Sequence, residues 1–379
     1  MTGPGSSGPR VVVAGGGTAG HIEPAMNLAD EVMRLDPTAV VTALGSTKGL
    51  DTTLIPARGF PLELIPPVPL PRRLGRDLFA TPGKLRGAVA VASEILERVR
   101  ADVVVGFGGY VAVPAYLAAR QLDLPIVVHE ANAKPGLANR AAARMTTHVF
   151  TAVREGHLPH ATVIGVPLRP EIAGLNRDAL RAQARSRFGL DADRPTLLVT
   201  GGSQGARSIN WAASGAAPGL LDAGVQVLHV IGPKNVLEVP TTAGDPPYVI
   251  VPFVEHMEYA YAAADFALCR CGAMTCAELS AVGLPAAYVP YPVGNGEQRF
   301  NAEPIVKAGG GVLVDDADLT PAWVLDNIVP RITDADTVTR MSNAAAHAGS
   351  RDAATVLAQH VLTVAAEHRR FAHKTRRPR

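Results

Sequence analysis

The segment RVVVAGGGTAGHIEP, residues 10–24, combines a strand, a glycine loop and the start of a helix. The run Val11–Ala14 predicts a strand buried on both faces, as in a parallel sheet. The glycines that follow let a ligand approach the backbone, and the free N–H groups of a helix N-terminus attract anions. Apolar residues then recur at helical spacing from residue 22 to residue 35. The segment therefore predicts the first strand–loop–helix unit of an anion-binding α/β domain.

The glycine loop by itself fits more than one kind of site. Residues 15–20 match G-x-G-x-x-G, so a nicotinamide-dependent oxidoreductase is one alternative. Such a site also needs an acidic residue after the second strand, where the chain has LGSTK at residues 44–48. Ser46 and Lys48 could instead suit a 2′-phosphate. A Walker P-loop is excluded, because His21 and Ile22 replace its Lys and Ser or Thr.

His21 follows the glycine loop directly, at the expected helix N-terminus. The positive end of the helix dipole favours the neutral imidazole that a general base needs. A histidine that only caps its own helix explains the position equally well.

The strand and helix pattern restarts after residue 194. Further strands are predicted at 40–44, 102–106 and 125–129, and then at 195–200, 225–231, 248–251, 266–269 and 286–289. Helices are expected at 177–188 and, as one long stretch, at 337–368. A chain of 379 residues is long enough for two domains. We predict an α/β protein of two doubly wound, Rossmann-like domains that face each other across a cleft.

Two more glycine loops follow strands in the second half. GGSQGAR occupies residues 201–207, and RCGAMT occupies residues 270–275. Two helix N-termini that converge can hold a diphosphate. Glu278 lies one turn into the second of these helices, where a carboxylate can accept hydrogen bonds from both hydroxyls of a ribose. An exposed helix carboxylate is the alternative interpretation of Glu278.

The cysteines give no zinc pattern. Cys269, Cys271 and Cys276 lie close together without a fourth ligand at standard spacing, so we expect reduced, partly buried thiols. A DxD-type metal motif is also missing from the nucleotide loops, and no cofactor is expected.

The termini bear on location. Residues 1–9 are rich in Gly, Ser and Pro and lack the apolar core of a signal peptide, so we expect a cytoplasmic protein.

The uncharged stretches 103–119 and 279–296 are interrupted by Gly and Pro and are too short to span a membrane. The tail 368–379 holds six of the 36 Lys and Arg residues and no acid, which leaves 30 basic and 34 acidic residues in the body. The tail is either a solvated end or a segment attracted to an anionic membrane surface.

Segment 66–86 mixes apolar and basic side chains. An amphipathic, basic surface loop or helix that dips into a membrane interface is one interpretation, and burial of its leucines in the core is the other. Its apolar and basic members are Leu70, Leu74, Leu78, Phe79 and Leu85, and Arg72, Arg73, Arg76, Lys84 and Arg86.

Six longer segments, taken together, resemble the MurG family within glycosyltransferase family 28. They are GGGTAGHIEP, FGGYVAVP, HEANAKPGLANR, GGSQGARSIN, CRCGAMTCAELSAVGLP and EQRFNAEPIVKAGGG, in family order between residues 10 and 312. The resemblance implies a GT-B fold, with acceptor binding mainly in the first domain and UDP-sugar binding mainly in the second.

The resemblance also implies roles for individual residues. It makes His21 the candidate catalytic base, places Tyr110 and Glu130 on the acceptor side, and pairs Glu278 with the ribose. In the family pattern Val254 marks a backbone contact to uracil. The residues implied in UDP-GlcNAc binding are Thr18, Ala19, Gly20, Asn132, Arg169, Ser203, Val254, Ala273, Met274, Thr275, Cys276, Ala277, Glu278, Gln298 and Asn301.

The chain departs from the family pattern at four places. Ala19 replaces a glycine in GGTGGH, HEAN replaces HEQN, and VPLR replaces NPVR before Arg169. Cys271 replaces the serine of CRSGA, so a thiol stands where the family has a hydroxyl. We therefore expect this chain to lack any phosphate or loop contact that the replaced side chains make in the family.

The activity implied is inverting transfer of GlcNAc from UDP-GlcNAc to the 4-hydroxyl of MurNAc in lipid I, undecaprenyl-pyrophosphoryl-MurNAc-pentapeptide, giving lipid II for peptidoglycan synthesis. With helix dipoles and Arg169 in place of a metal, the reaction needs no cofactor. The implied location is peripheral, at the cytoplasmic face of the cell membrane. The implied partners are an anionic membrane surface and other cell-wall enzymes, with no nucleic acid. The alternatives are an epimerase or natural-product glycosyltransferase, the oxidoreductase, and a non-catalytic sugar-nucleotide-binding module.

The expected domain organisation follows from the motifs. We expect a flexible start at 1–9, an acceptor and membrane domain at 10–165, a linker at 166–194 and a donor domain at 195–350. A helix at 351–367 is expected to pack back on the first domain, before the basic tail 368–379.

Overall fold

The computed structural model describes residues 8–68, 77–154, 157–293 and 296–375, with the helical backbone alone given for 77–81 and 372–375. The chain forms two compact units. Unit 1 comprises Met1–Leu168 and Asp352–Arg379, and unit 2 comprises Arg169–Arg351.

Unit 1 is built on a parallel sheet of seven strands. The strands are β1 (Arg10–Gly15), β2 (Val40–Gly45), β3 (Leu62–Leu64), β4 (Val103–Gly108), β5 (Ile126–Glu130), β6 (His148–Thr151) and β7 (Ala161–Val163). Their order across the sheet is β3-β2-β1-β4-β5-β6-β7. Every pairing is parallel. The order reverses direction between β1 and β4, which is the switch point of a doubly wound fold.

Helices cover both faces of this sheet. They are α1 (Ala19–Leu35), α2 (Asp51–Ala57), α3 (Asp77–Val99), α4 (Ala112–Gln121), α5 (Leu137–Ala142) and α16 (Ala353–Thr375), the last helix of the chain. One apolar core lies under α1 and α16, and a second lies under α3 and α4. The continuous apolar strands place Val11 and Val13 in the first core and Val12 and Ala14 in the second.

The final helix, α16, packs against unit 1. Leu357, Val361 and Ala365 are buried in the core beside α1. The Thr355 hydroxyl donates to Glu31 on α1. Burial of this apolar stripe is what holds the C-terminal helix on unit 1.

Unit 2 repeats the architecture with six parallel strands. The strands are β8 (Thr196–Thr200), β9 (Gln226–Val230), β10 (Tyr248–Val251), β11 (Phe266–Arg270), β12 (Ala286–Val289) and β13 (Gly311–Leu313). Their order is β10-β9-β8-β11-β12-β13, so the switch point lies between β8 and β11. The predicted α/β class with two Rossmann-like units is therefore confirmed.

The described helices of unit 2 are α6 (Pro170–Ala173), α7 (Arg177–Phe188), α8 (Arg207–Gly215), α9 (Ala217–Asp222), α10 (Met257–Ala263), α11 (Ala273–Val282), α12 (Glu297–Lys307), α13 (Pro321–Asn327), α14 (Val329–Ile332) and α15 (Ala335–Ala348). Helices α8, α9, α13, α14 and α15 contribute to one buried core, together with β8, β9, β11 and β12.

Helix α7 lies in the segment expected to be a linker, and it is anchored in unit 2. Arg177 donates to the backbone oxygens of Tyr261 and Gly283, at 3.1 and 2.8 Å. Burial lowers the pKa of Arg177 to about 10. Arg181 and Arg185 share the carboxylate of Asp265, at 2.6 and 2.8 Å. Residues 169–194 of the expected linker thus belong to unit 2.

The prediction of one continuous helix at 337–368 is wrong. Residues 349–352 separate two helices, α15 and α16, in this stretch. A Cβ on Gly349 would lie 2.5 Å from the Ser280 carbonyl carbon, so the backbone there packs too closely for a side chain. Arg351 is fixed to unit 2 through the carbonyl oxygens of Ala281 and Leu175. The division marks the place where the chain leaves unit 2 for unit 1.

Over the described residues, the structure contains no helix that is both long enough and apolar enough to cross a membrane.

Candidate functional site

The loops singled out in the sequence gather at the two switch points. In unit 1 the first glycine loop follows β1 and the FGGY turn follows β4, and Gly15 is paired with Gly108. In unit 2 the GGSQGAR loop follows β8 and the RCGAMT loop follows β11, and Thr200 is paired with Cys269. Ligands of doubly wound folds bind at the carboxyl ends of such strands. Each unit therefore has its own candidate site.

Asp51 organises the first glycine loop. Its side chain is fully buried at the start of α2. Oδ1 accepts the N–H of Gly17 at 2.6 Å, and Oδ2 accepts the N–H of Ser46 at 2.8 Å. The carboxylate thus connects the loop after β1 to the loop after β2.

His21 lies beside both loops of unit 1. Its Nδ1 is 3.1 Å from the hydroxyl of Thr18, the residue that precedes α1. A Cβ on Gly108 would be 3.3 Å from the imidazole Nε2, so the ring rests on the FGGY turn. Thr18 and Gly20 are exposed, whereas Ala19 is half-buried. The ring therefore contacts the residue that precedes α1 and also lies at the switch point of unit 1.

Glu130 has a different environment from the one expected of an acceptor contact. Its carboxylate is buried and accepts from the backbone N–H groups of Asn132 and Gly136, each at 3.0 Å. It also accepts from the side chains of Asn132 at 3.2 Å and Asn139 at 3.0 Å. These bonds shape the loop 131–136, so any effect of Glu130 on an acceptor acts through that loop.

Asn139 extends this network into the sheet. It accepts from the Tyr116 hydroxyl at 2.8 Å and donates to the His129 carbonyl at 3.1 Å. Burial, and secondarily the Glu130 carboxylate, raises the pKa of Tyr116 well above its usual value. Tyr110 has 43% of its surface exposed at the FGGY turn, where a ligand can reach it.

The glycine loop after β8 has a shape that side chains would not allow. Gly205 has φ +73°, and a Cβ there would lie 1.9 Å from the Ile231 carbonyl oxygen. Gly202 has φ +87°, and no atom lies within 4 Å of the position of its Cβ. Ser203 is exposed between them. The loop therefore presents open backbone next to the N-terminus of α8, as an anion site requires.

Glu278 is buried rather than an exposed helix acid. Only 7% of its surface is accessible, and the Tyr261 hydroxyl donates to its Oε2 at 2.6 Å. It lies in the second turn of α11, whose first intrahelical bond joins Cys276 N–H to the Gly272 carbonyl. Among the residues before and around it, Ala273, Met274, Thr275 and Ala277 are partly accessible and Cys276 is buried.

Arg270 links several loops of unit 2. Its guanidinium donates to the Ser208 hydroxyl at 3.0 Å and forms an ion pair with Asp316. It also donates to the carbonyl oxygens of Val289 and Pro290, at 3.4 and 3.3 Å. Since Ser208 lies in the first turn of α8, one side chain joins the ends of β11 and β12 to the first glycine loop of this unit.

The remaining predicted donor residues are spread around the same edge of unit 2. Asn301 is buried on α12, with Nδ2 3.4 Å from the Cys271 carbonyl oxygen. The Gln298 side chain accepts from the Tyr291 N–H at 3.0 Å. Val254 is buried beside Phe253, which is 54% exposed. Arg169, before α6, has a buried Nε with no hydrogen-bond partner among the described residues.

The three cysteines are free thiols and all are buried. Burial raises the pKa of Cys271 to about 12 and raises the pKa values of Cys269 and Cys276 well above their usual range. Cys271, which stands where the family pattern has a serine, is therefore a buried thiol that stays protonated at neutral pH. Within the described ranges, no group of three or more His, Cys, Asp and Glu side chains is arranged to hold a metal ion.

Sequence reasoning missed three residues that shape the sites. Asp51 holds Gly17 of the first glycine loop, and Tyr261 holds the carboxylate of Glu278. Arg270 was part of a quoted motif but was given no role, although it links several loops. The acidic residue at the start of α2 was a signal that the sequence offered, whereas nothing near Tyr261 in the sequence marks it as a partner of Glu278.

Two family models match the chain. The N-terminal domain model of glycosyltransferase family 28 matches residues 11–151, and the C-terminal domain model of the same family matches residues 196–357. The first matched range spans β1 to β6 of unit 1, and the second includes all six strands of unit 2.

Individual proteins are similar over nearly the whole chain. A Streptomyces avermitilis protein, UDP-N-acetylglucosamine--N-acetylmuramyl-(pentapeptide) pyrophosphoryl-undecaprenol N-acetylglucosamine transferase, is 57% identical over 95% of this chain and 100% of its own length. A Nocardia farcinica protein with the same description is 56% identical over 95% of this chain and 97% of its own length. The crystal structure of Acinetobacter baumannii MurG is 26% identical, with a TM-score of 0.77 over 94% of this chain and 99% of that one.

Proposed function

Because the chain belongs to glycosyltransferase family 28, we propose that it transfers N-acetylglucosamine from UDP-GlcNAc to the N-acetylmuramyl sugar of lipid I, a pyrophosphoryl-undecaprenol carrier. The observation that carries this function is the similarity, over almost the full length, to relatives that share this description. Membership of the family favours a glycosyltransferase over an oxidoreductase or a non-catalytic binding module.

Unit 2 is the proposed donor unit. The exposed loop at Ser203 and the N-terminus of α11 offer backbone N–H groups for the diphosphate. Glu278 lies one turn further along α11, in position to accept hydrogen bonds from the ribose, and Val254 marks the uracil end. Arg169 adds a cation for the leaving UDP, while Gln298 and Asn301 contact the sugar.

Unit 1 is the proposed acceptor unit. His21 accepts the proton of the 4-hydroxyl while that oxygen bonds to the anomeric carbon of GlcNAc. The bond from the anomeric carbon to the UDP oxygen breaks in the same step, and UDP leaves with its electron pair. The single displacement inverts the anomeric centre. Asp51 and Glu130 hold the two loops that surround His21 and Asn132.

Attachment to a membrane is part of the proposal, since lipid I is membrane-anchored by its polyprenyl chain. Segment 66–86 supplies cations for anionic headgroups. Residues 69–76, with Leu70, Arg72, Arg73, Leu74 and Arg76, lie outside the described residues, as do the side chains of Leu78 and Phe79.

In the described end of the same segment, some side chains are exposed and one packs on the core. Lys84 and Arg86 are exposed on α3. Leu85 is half-buried and packs on the core of unit 1, so it is not one of the side chains that enter a membrane.

The decisive experiment measures UDP release from UDP-GlcNAc with and without a lipid I analogue. Release that depends on the acceptor, with a disaccharide product, is the expected result. Epimerised free sugar, hydride transfer to a nicotinamide, or binding of UDP-GlcNAc without turnover would each contradict the proposal in favour of one alternative.

A further inference from the structure

We propose that Tyr261 is a positioning residue for nucleotide recognition, which holds the Glu278 carboxylate in the orientation that reads the ribose hydroxyls. The inference rests on the proposed function, because it assumes that Glu278 contacts the ribose. It assigns a role to a residue that lies on α10, outside every motif quoted from the sequence.

The contact itself is short and enclosed. The Tyr261 hydroxyl lies 2.6 Å from Glu278 Oε2, and the two residues are 3% and 7% exposed. A hydrogen bond to a carboxylate shielded from water is stronger and more directional than one at a surface. The bond therefore fixes the rotation of the carboxylate about its last side-chain bond.

The phenol can act only as a donor to this carboxylate. Burial, followed by the neighbouring Glu278 charge, raises the pKa of Tyr261 well above its ordinary value. The hydroxyl hence keeps its proton throughout the neutral range.

A second connection, through Arg177, fixes helix α10 relative to helix α11. The Arg177 guanidinium donates to the backbone oxygen of Tyr261 at 3.1 Å and to that of Gly283, just beyond α11, at 2.8 Å. The helix that carries Tyr261 and the helix that carries Glu278 are thus held by one buried arginine. The backbone of Tyr261 is consequently fixed relative to α11, and this keeps its hydroxyl within hydrogen-bond distance of Glu278.

The test compares affinities for UDP and 2′-deoxy-UDP by calorimetry in the wild type and in Tyr261→Phe, Tyr259→Phe and Glu278→Ala. Tyr259→Phe is the matched control, since it removes a phenol from the same helix and leaves a ring for the contact with Arg187. Thermal unfolding of each variant checks that it is folded.

The wild type should prefer UDP to 2′-deoxy-UDP, and Glu278→Ala should lose that preference. Tyr261→Phe should reduce the preference on the order of tenfold, the effect of one hydrogen bond to a charged group, while Tyr259→Phe keeps it. A simply structural role for Tyr261 would weaken both ligands equally and leave their ratio intact, which would overturn the inference.

Failure of the underlying assignment has a different signature. If the ratio of the affinities for UDP and 2′-deoxy-UDP is the same in the wild type and in Glu278→Ala, Glu278 does not contact the ribose, and Tyr261 has no contact to position. If Glu278→Ala alone loses the preference while Tyr261→Phe keeps it, the ribose contact stands and the positioning role is refuted.

Discussion

The carboxylate of Asp51 holds Gly17 of the first glycine loop, with Oδ1 2.6 Å from the Gly17 nitrogen. Its second oxygen accepts the Ser46 N–H at 2.8 Å, so both oxygens are committed to backbone donors. The glycine loop that precedes His21 is thereby fixed by a residue at the start of α2.

Asp51→Asn should lower both stability and turnover. An amide has one acceptor oxygen, so either Gly17 or Ser46 would face an NH₂ group and lose its partner. An unpaired buried donor costs about 1–3 kcal/mol. Chemical denaturation and acceptor-dependent UDP release measure the two effects. Asp36→Asn is the control, because Asp36 makes similar bonds to Thr38 at an exposed turn. Equal losses in both variants would mean that Asp51 has no special role.

His21→Ala should depress turnover far more than UDP affinity. A general base contributes roughly 10²–10⁴-fold to a rate, whereas the proposed UDP contacts belong to unit 2. Steady-state turnover with a lipid I analogue and calorimetry with UDP separate the two quantities. His347→Ala, at an exposed position of α15, controls for loss of a histidine. Near-normal turnover in folded His21→Ala would assign proton removal to another group.

Arg270→Lys should weaken UDP binding on the order of tenfold, because lysine cannot reach Ser208, Asp316 and two carbonyl oxygens together. The loops after β8 and β11 would lose their common support. Arg299→Lys changes an exposed ion pair with Asp315 in the same unit and should have little effect. Matching affinities for UDP in the two variants would show that Arg270 does not organise the donor loops.

The unfolding free energy should fall as pH drops from 7 to 4, in part because of His229. Burial lowers the pKa of His229 to about 4 in the folded protein, whereas an unfolded histidine titrates near 6.5. Between these values the unfolded chain binds the additional proton, so acid favours unfolding. The contribution is about 3 kcal/mol over this range.

The measurement is urea denaturation at several pH values for the wild type, His229→Gln and the exposed control His256→Gln. His229→Gln should show a shallower decline, whichever stability it has at pH 7. A decline as steep as that of the control would refute the assignment of this pH dependence to His229.

Membrane binding should need the cations of segment 66–86. Liposome co-sedimentation should require anionic lipid, weaken with salt, and fall when five cations become Gln: Arg72, Arg73, Arg76, Lys84 and Arg86. The matched control changes five exposed cations of unit 2 to Gln: Arg187, Arg207, Lys234, Lys307 and Arg340. Equal sedimentation of the two variants would direct attention to the basic tail after His368.

Local residue patterns were enough to predict the class of fold and the position of each glycine loop. Continuous apolar runs such as Val11–Ala14 specify buried parallel strands, and glycines such as Gly205 specify backbone shapes that exclude side chains. These are local properties, because they depend on a few consecutive residues. The short strands β3, β6, β7 and β13 escaped prediction because none of them contains four consecutive apolar residues, unlike the equally short β10 and β12.

The side chains that hold the predicted groups could be identified only from the three-dimensional packing. Gly17 and Asp51 are 34 residues apart, Tyr261 and Glu278 are 17 apart, and Arg177 reaches Gly283 across 106 residues. Such pairs form when sheet topology brings separate loops and helix ends together, and no local pattern encodes them. The same reason explains Glu278: its position on α11 was evident from the sequence, but its burial and its hydroxyl partner depend on how α10 packs beside it.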